Sequence, residues 1–199
     1  MEAIPEVEAR KTLRTIERQN NRLAELVQDL LLLSRMDGQN QPSLRRRCCL
    51  NTLIKDVADE FEALAIAAHL SLTVEIKVSE TLWVLGDEEQ LYRVMANLVS
   101  NAIQYTPKKG KVTICLDRND HHALIQVQDT GIGIAPQEHE RIFDRFYRVN
   151  GDRSRATGGS GLGLAIATAI SHAHQGSIQV KSVMRKGSVF TVYLPLKLH

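Results

Sequence analysis

The sequence predicts an α/β fold preceded by a long helix, and three observations predict it. Residues 8–36 contain no Pro or Gly and are rich in helix formers. Beyond Pro42, runs with one apolar face at helical spacing (51–69, 88–105, 162–174) are interleaved with runs that alternate apolar and polar residues. Polar, glycine-containing segments stand at the joints between these runs, at 129–134 and 159–164.

Composition sets the bounds. At 199 residues, 43% of them hydrophobic, the chain has the length for one or two domains and an ordinary globular core. A net charge of +2, with acids and bases interspersed, gives no nucleic-acid footprint. Arg45-Arg46-Arg47 is the one dense basic run and reads as a solvated strand edge. Cys48, Cys49 and Cys115 have no metal-ligand spacing, and neighbours on a strand face opposite ways. Their odd number fits a reducing compartment, so a cytoplasmic location is expected. No apolar run approaches the ~18 residues that cross a bilayer, and Met1 to Glu6 lacks a signal pattern. An anchor, if the protein works at a membrane, is expected outside this chain.

The elements follow in order. In the first helix Leu13, Ile16, Asn20, Leu23, Val27 and Leu30 alternate steps of three and four, an a/d seam with polar Asn20 at one a position. Such a seam calls for a partner helix, in a hairpin or a dimer bundle. Asp37 to Pro42 ends the helix as a linker, which divides the chain into residues 1–41 and 42–199. A strand is expected at 44–50. Asn51 then caps a helix to about His69, with Leu53, Ile54, Val57, Phe61, Leu64 and Ala65 on one face. Strands follow at 70–78 and 81–85. Gly86-Asp87 turns into a helix from Glu88 to about Tyr105, with Leu91, Val94, Met95, Leu98 and Ile103 as its core face. Residues 111–116 and 123–128 form a hairpin across Asn119-Asp120. Pro136 opens a short helix to about Phe143. Val149 to Ser160 is too polar to pack and reads as a lid loop. A helix to about His174 and strands at 177–183 and 188–194 close the chain.

Three motifs carry chemistry. The strand 123–128 ends in Asp129-Thr130-Gly131-Ile132-Gly133-Ile134, which places one carboxylate at a strand tip beside two glycines. A carboxylate accepts a hydrogen bond from the exocyclic amine of adenine, where guanine offers a carbonyl. Taken alone, the pattern is as well a tight turn. Asn97 and Asn101 lie four apart and share one side of their helix. Their amide oxygens suit Mg²⁺, a hard cation; alone, they read equally as solvent-facing residues or partners of a nearby loop. Gly159-Ser160-Gly161-Leu162-Gly163-Leu164 leads into a helix, where bare backbone N–H groups suit phosphate oxygens. No Lys-Ser/Thr follows it, so it is not a Walker loop, nor does it have the setting of a dinucleotide fingerprint.

In order and spacing, Asn97 to Tyr105, Asp129 to Ile134 and Gly159 to Leu164 resemble the N, G1 and G2 boxes of sensor histidine kinases. Phe143 to Arg148 resembles the F box, and Lys186-Gly187-Ser188-Val189-Phe190 the closing Gly-Thr element. The resemblance covers about 44–196. It implies a two-layer sandwich of a mixed β-sheet and about three helices, the fold shared with gyrase, chaperone and mismatch-repair ATPases, with ATP and Mg²⁺ as cofactors. It implies that Asp129 binds the adenine amine, with Ile134 lining the pocket. Tyr105 stacks near the base, and Ser188 makes a water-mediated contact to adenine in place of the usual Thr. Asn101 coordinates Mg²⁺, and Asn97 holds the polar network beside it. Gly131, Gly133, Gly159, Gly161, Leu162 and Gly163 shape pocket and lid, and Arg148 approaches the terminal phosphates. Gln104 stands where Lys, Arg or His is common, so a charge-assisted phosphate contact is missing.

Residues 1–41 resemble the second helix of the dimerisation and phosphotransfer hairpin, ending Leu30-Leu31-Leu32-Leu33-Ser34-Arg35-Met36-Asp37. None of the seven histidines sits in the phosphoacceptor pattern; all are read as structural or exposed. The expectation is a piece of a longer kinase that passes the ATP γ-phosphoryl group to a histidine outside this segment. A response regulator would then receive it, and a homodimer would form through the phosphotransfer helices. Two alternatives stand beside it. A gyrase-type ATPase would need a Glu base where Asn97 stands. A non-catalytic nucleotide-binding or dimerisation module has only Gln104 in its favour.

Overall fold

The structure is a computed structural model that describes residues 6–37, 46–149 and 160–196. The chain divides into two compact units, Met1–Gln39 and Asn40–His199.

The first unit is one helix, α1 (Glu6–Asp37), with Arg35 in its last turn, where a cation meets the negative end of the helix dipole. The seam residues Leu13, Ile16, Leu23, Val27 and Leu30 are exposed. No helix among the described residues is long and apolar enough to cross a membrane.

The second unit opens with β1 (Arg46–Cys49) and α2 (Leu50–Ala67), followed by β2 (Ser71–Ile76), β3 (Trp83–Gly86) and α3 (Glu88–Tyr105). The hairpin β4 (Lys111–Arg118) and β5 (His122–Asp129) comes next. Then come two 3₁₀ turns, α4 (Gly163–Ala173), β6 (Ser177–Val183) and β7 (Gly187–Pro195). Five strands form one mixed sheet in the order β2-β4-β5-β7-β6, with β2–β4 parallel and the rest antiparallel. The three α-helices described in this unit lie on this sheet: α2 on β2 and β4, α3 on β4 and β5, α4 on β6 and β7. The inward row of β5, Ala123, Ile125 and Val127, is buried beneath them, as are Leu91, Val94, Met95 and Leu98 of α3 and Leu162, Ile166 and Ile170 around α4. Each buried Leu, Ile or Val side chain contributes about 1.5–3 kcal/mol. The expected fold class holds.

β1 and β3 stand apart from the main sheet and pair with each other; there Arg47 lies over the Trp83 ring, 5.2 Å from its centroid. Three local expectations need correction. Asn51 is not a cap. The helix begins one residue earlier, and Asn51 Oδ1 accepts the N–H of Leu82 at 2.8 Å, ahead of β3. Leu64 is 49% exposed and does not join the buried face of α2, which is made by Leu50, Leu53, Ile54, Val57, Ala58 and Ala65. The segment 136–143 is two 3₁₀ turns, Pro136–Glu138 and Arg141–Phe143, closed by i→i+3 bonds such as His139 N–H to Pro136 O. The expected element at 88–105, by contrast, is α3 residue for residue. Asp87 caps it by accepting the N–H of Gln90 at 3.1 Å, with Glu88 and Glu89 in the first turn.

Candidate nucleotide site at the strand tips

Asp129 is the last residue of β5, facing the helices, and is 6% exposed. The sheet register sets Ser188 of β7 directly beside it and Ser182 of β6 directly beside Ser188. This makes one polar row across three strands on the buried face. Asp129 Oδ1 accepts the backbone N–H groups of Gly131 (2.7 Å) and Ser188 (3.3 Å). Neither of these backbone donors is on Oδ2. Burial pushes the Asp129 carboxyl above the usual carboxylate range, against the opposing pull of the N–H groups of Gly131 and Ser188 and of the Ser188 hydroxyl.

The loop after Asp129 is clamped from both sides. Ile132 N–H donates to the Tyr105 carbonyl at the end of α3, and the Ile132 carbonyl accepts from Arg185 N–H (2.7 Å) in the β6–β7 turn. Ile134 N–H donates to Ser182 Oγ at 2.8 Å. Gly133 has φ +69°, and a Cβ there would stand 2.1 Å from the Val183 carbonyl oxygen. Only glycine fits that conformation at that distance. A groove of about 430 Å³ runs beside the row, lined by Asp129, His139, Ser182, Lys186, Gly187 and Ser188 among others. Asn97 and Asn101 are not among its lining residues.

The other half of the site is built on α3 and α4. Asn97 and Asn101 are half-buried on one side of α3. Asn97 Nδ2 donates to the carbonyl of Gly163, the first residue of α4, at 3.1 Å. That contact ties the N-box helix to the Gly-rich turn. Asn101 makes no hydrogen bond among the described residues. Gln104 is half-buried and Tyr105 is 42% exposed at the end of α3. Leu162 is fully buried, and its N–H donates to Ser160 Oγ at 3.2 Å. Gly161, at φ +73°, lies against the Phe146 backbone and accepts the Phe146 N–H at 2.9 Å. Arg148 is half-buried two residues beyond. Gly159, and with it 150–159 of the expected lid, lies outside the described residues.

The structure thus brings Asp129, Gly131, Gly133, Ile134 and Ser188 together at one end, and Asn97, Leu162 and Gly163 at the other, with the end of α3 joining them. Among the described residues there is no group of three or more His, Cys, Asp or Glu that could hold a metal. Of the histidines, His174 is buried: Nε2 accepts the Asp87 N–H at 3.0 Å and Nδ1 contacts the Ile170 carbonyl at 2.8 Å. That fits the structural role expected of it. Sequence reasoning missed Ser182. Its signal was there, since alternation along a hairpin whose turn lies at 184–186 sets it opposite Ser188.

Comparison with known proteins agrees with this geometry. Residues 86–198 match the family of histidine kinase-, DNA gyrase B- and HSP90-like ATPases. The chain belongs to that family, and its second unit is an ATP-binding domain. Within the family, the relatives it matches are sensor histidine kinases. The chain is 53% identical over 184 residues to the sensor histidine kinase RppB of Synechocystis sp., covering 92% of this chain and 40% of RppB. It is 41% identical over 175 residues to the sensor-like histidine kinase SenX3 of Mycobacterium bovis, covering 88% and 42%. Among solved structures, full-length ShkA in complex with AMPPNP is similar at TM-score 0.82 and 25% identity, covering 98% of this chain and 40% of that one. The catalytic domain of the histidine kinase ThkA is similar at TM-score 0.67 and 29% identity, covering 76% and 97%. This chain spans about two fifths of the length of the curated relatives it matches.

Proposed function

We propose that this chain is the catalytic module of a protein-histidine kinase, transferring the γ-phosphoryl group of ATP to a histidine outside this segment for relay to a response-regulator aspartate. The observation that carries the reading is the Asp129 carboxylate. It is buried at a strand tip with both backbone donors on Oδ1, so Oδ2 is left for the adenine amine. On this reading Ser188 assists through a water, Tyr105 stacks near the base and Ile134 lines the pocket. Gly131, Gly133, Gly159, Gly161, Leu162 and Gly163 shape pocket and lid. Asn97 holds α3 to the Gly-rich turn, and Arg148 approaches the terminal phosphates. The amide oxygen of Asn101, without a protein partner among the described residues, is the hard donor that suits Mg²⁺. The ion, when bound, would neutralise charge on the phosphates. α1 and the linker (1–41) contribute the second helix of a phosphotransfer hairpin, with homodimerisation through the exposed seam and a cytoplasmic location. For the relay step, a structure of the relative ThkA in complex with the response regulator TrrA supports a response regulator as partner. A water-activating ATPase is disfavoured, since Asn97 is a poor base and spends its amide on Gly163.

Calorimetric titration of Mg-ATP into the chain tests the site, followed by a phosphohistidine assay with a hairpin helix carrying an acceptor histidine supplied in trans. Saturable binding with acid-labile transfer is expected. Binding with release of inorganic phosphate and no transfer would favour an ATPase. No binding would favour the non-catalytic module.

A further inference from the structure

Ser182 stands third in the polar row, across from Ser188 in the β6–β7 register. Its hydroxyl makes three contacts: Ile134 N–H at 2.8 Å, the Gly187 carbonyl at 2.9 Å and Ser188 Oγ at 3.0 Å. A serine hydroxyl has one proton and two lone pairs. The Ile134 N–H takes one lone pair, and the Gly187 carbonyl can only accept, so it takes the proton. The second lone pair faces the Ser188 hydroxyl, which is within reach of both the Ser182 oxygen and the Asp129 carboxylate. The Ser182 hydroxyl thereby fixes where the Ser188 oxygen sits beside Asp129. It also pins Ile134, and with it the loop that carries Gly131, whose N–H bonds Asp129.

We infer that Ser182 is a positioning residue for adenine recognition, whose hydroxyl orients Ser188 and holds the Asp129–Ile134 loop in register without touching the nucleotide. The inference rests on the adenine site proposed above. Without the Ser182 oxygen, Ser188 rotates and Ile134 N–H loses its acceptor. The base end then loosens while the phosphate end, built on α3 and α4, keeps its contacts. The loss therefore falls on the discrimination between purines as well as on affinity.

The experiment measures ATP affinity, and GTP affinity by competition, for wild type, Ser182→Ala, and the equal-shaped pair Ser182→Thr and Ser182→Val. Ser182→Ala is expected to weaken ATP roughly five- to tenfold and to lower the ATP-over-GTP ratio. Ser182→Val is expected to match it, and Ser182→Thr to restore both. Wild-type affinity and ratio in Ala and Val would overturn the inference. So would an equal loss for both nucleotides at constant ratio, or a Val variant that fails to fold beside a folded Thr, since each marks a purely structural hydroxyl. If wild type itself does not bind ATP, the adenine site falls and the inference falls with it. That result is distinct from a wild type that binds and an Ala variant that is indifferent.

Discussion

The two ends of the candidate site are built differently. At the strand-tip end, polar groups are matched inside the protein. Asp129 Oδ1 takes two N–H groups, Ser182 has three partners, and the loop is bonded to both α3 and the β6–β7 turn. The groups sit on adjacent strands of a closed register, so they stay in place without a ligand. At the helical end, Asn97 is committed to Gly163 while Asn101, one turn on, makes no hydrogen bond among the described residues. The donors there come from helix side chains and the approach to a Gly-rich turn. On the proposed function, recognition of the base would be carried by backbone register, whereas the charged part of the ligand would meet side chains arrayed along helices. Substitutions should therefore act in opposite ways at the two ends.

The largest effect is expected at Asp129. Asp129→Asn keeps the shape but replaces a charged acceptor, and a charged hydrogen bond contributes about 1.5–3 kcal/mol. Calorimetry should show ATP affinity lowered by about ten- to 150-fold. The apo fold should respond the other way. Because burial raises the native pKa of this carboxyl, the native state binds its proton more tightly than the unfolded chain does. The stability tied to that proton is complete below the ordinary carboxylate range and is lost as pH rises through the raised native value. At neutral pH Asp129→Asn should melt at or above wild type, and the gap should shrink on acidification. A variant that loses both binding and stability at neutral pH would break the proposed division of labour.

At Asn101 the expectation is binding without stability. Asn101→Ala should remove the gain in ATP affinity that Mg²⁺ confers, on the order of tenfold, and leave melting unchanged within a surface-type ±0.5 kcal/mol or so. One turn away the pattern inverts. Asn97→Ala deletes a tie between α3 and α4, a hydrogen bond contributing about 1 kcal/mol, so melting should drop by roughly 2–4 °C. Thermal melts with and without Mg-ATP check both. If Asn101→Ala destabilised the apo protein as much as Asn97→Ala, Asn101 would belong to the scaffold.

The same contrast explains what could be read in the sequence. α3 was legible to the residue because apolar spacing and the Asp87 cap are local signals. Asp129 was legible because the alternation of β5 places it at a tip on the buried side. Ser182 was not singled out, because its chemistry exists only once β6 is registered on β7 and the 129–134 loop folds over both. Asn51 misled for a related reason: it has the right chemistry for a cap, but its oxygen is captured by Leu82, thirty-one residues away. The segment 136–143 misled through length. Eight residues do not sustain the cooperative i→i+4 ladder, and i→i+3 bonds close it as two short turns. Local propensity fixes elements, and contacts distant in sequence decide what their polar atoms are for.

The smallest expected effect sharpens the comparison most finely, because it is a gain. Gln104 lies three residues after Asn101 on α3 and is half-buried, at the position where the resemblance to sensor kinases calls for a cation. Gln104→Lys restores a charge at the helical end and leaves every strand-tip contact untouched. An added partly exposed ion pair contributes about 0.2–1 kcal/mol, so ATP should bind up to about fivefold more tightly. The gain should fade as salt is raised and the Debye length shrinks from about 10 Å toward 3 Å. The affinity ratio of ATP over GTP should stay where it was, since the base is read at the other end. Titrations of both nucleotides at low and high salt check this. A gain that survives high salt, or a shift in the purine ratio, would mean that Gln104 acts on the base and that the boundary between the two ends lies further along α3.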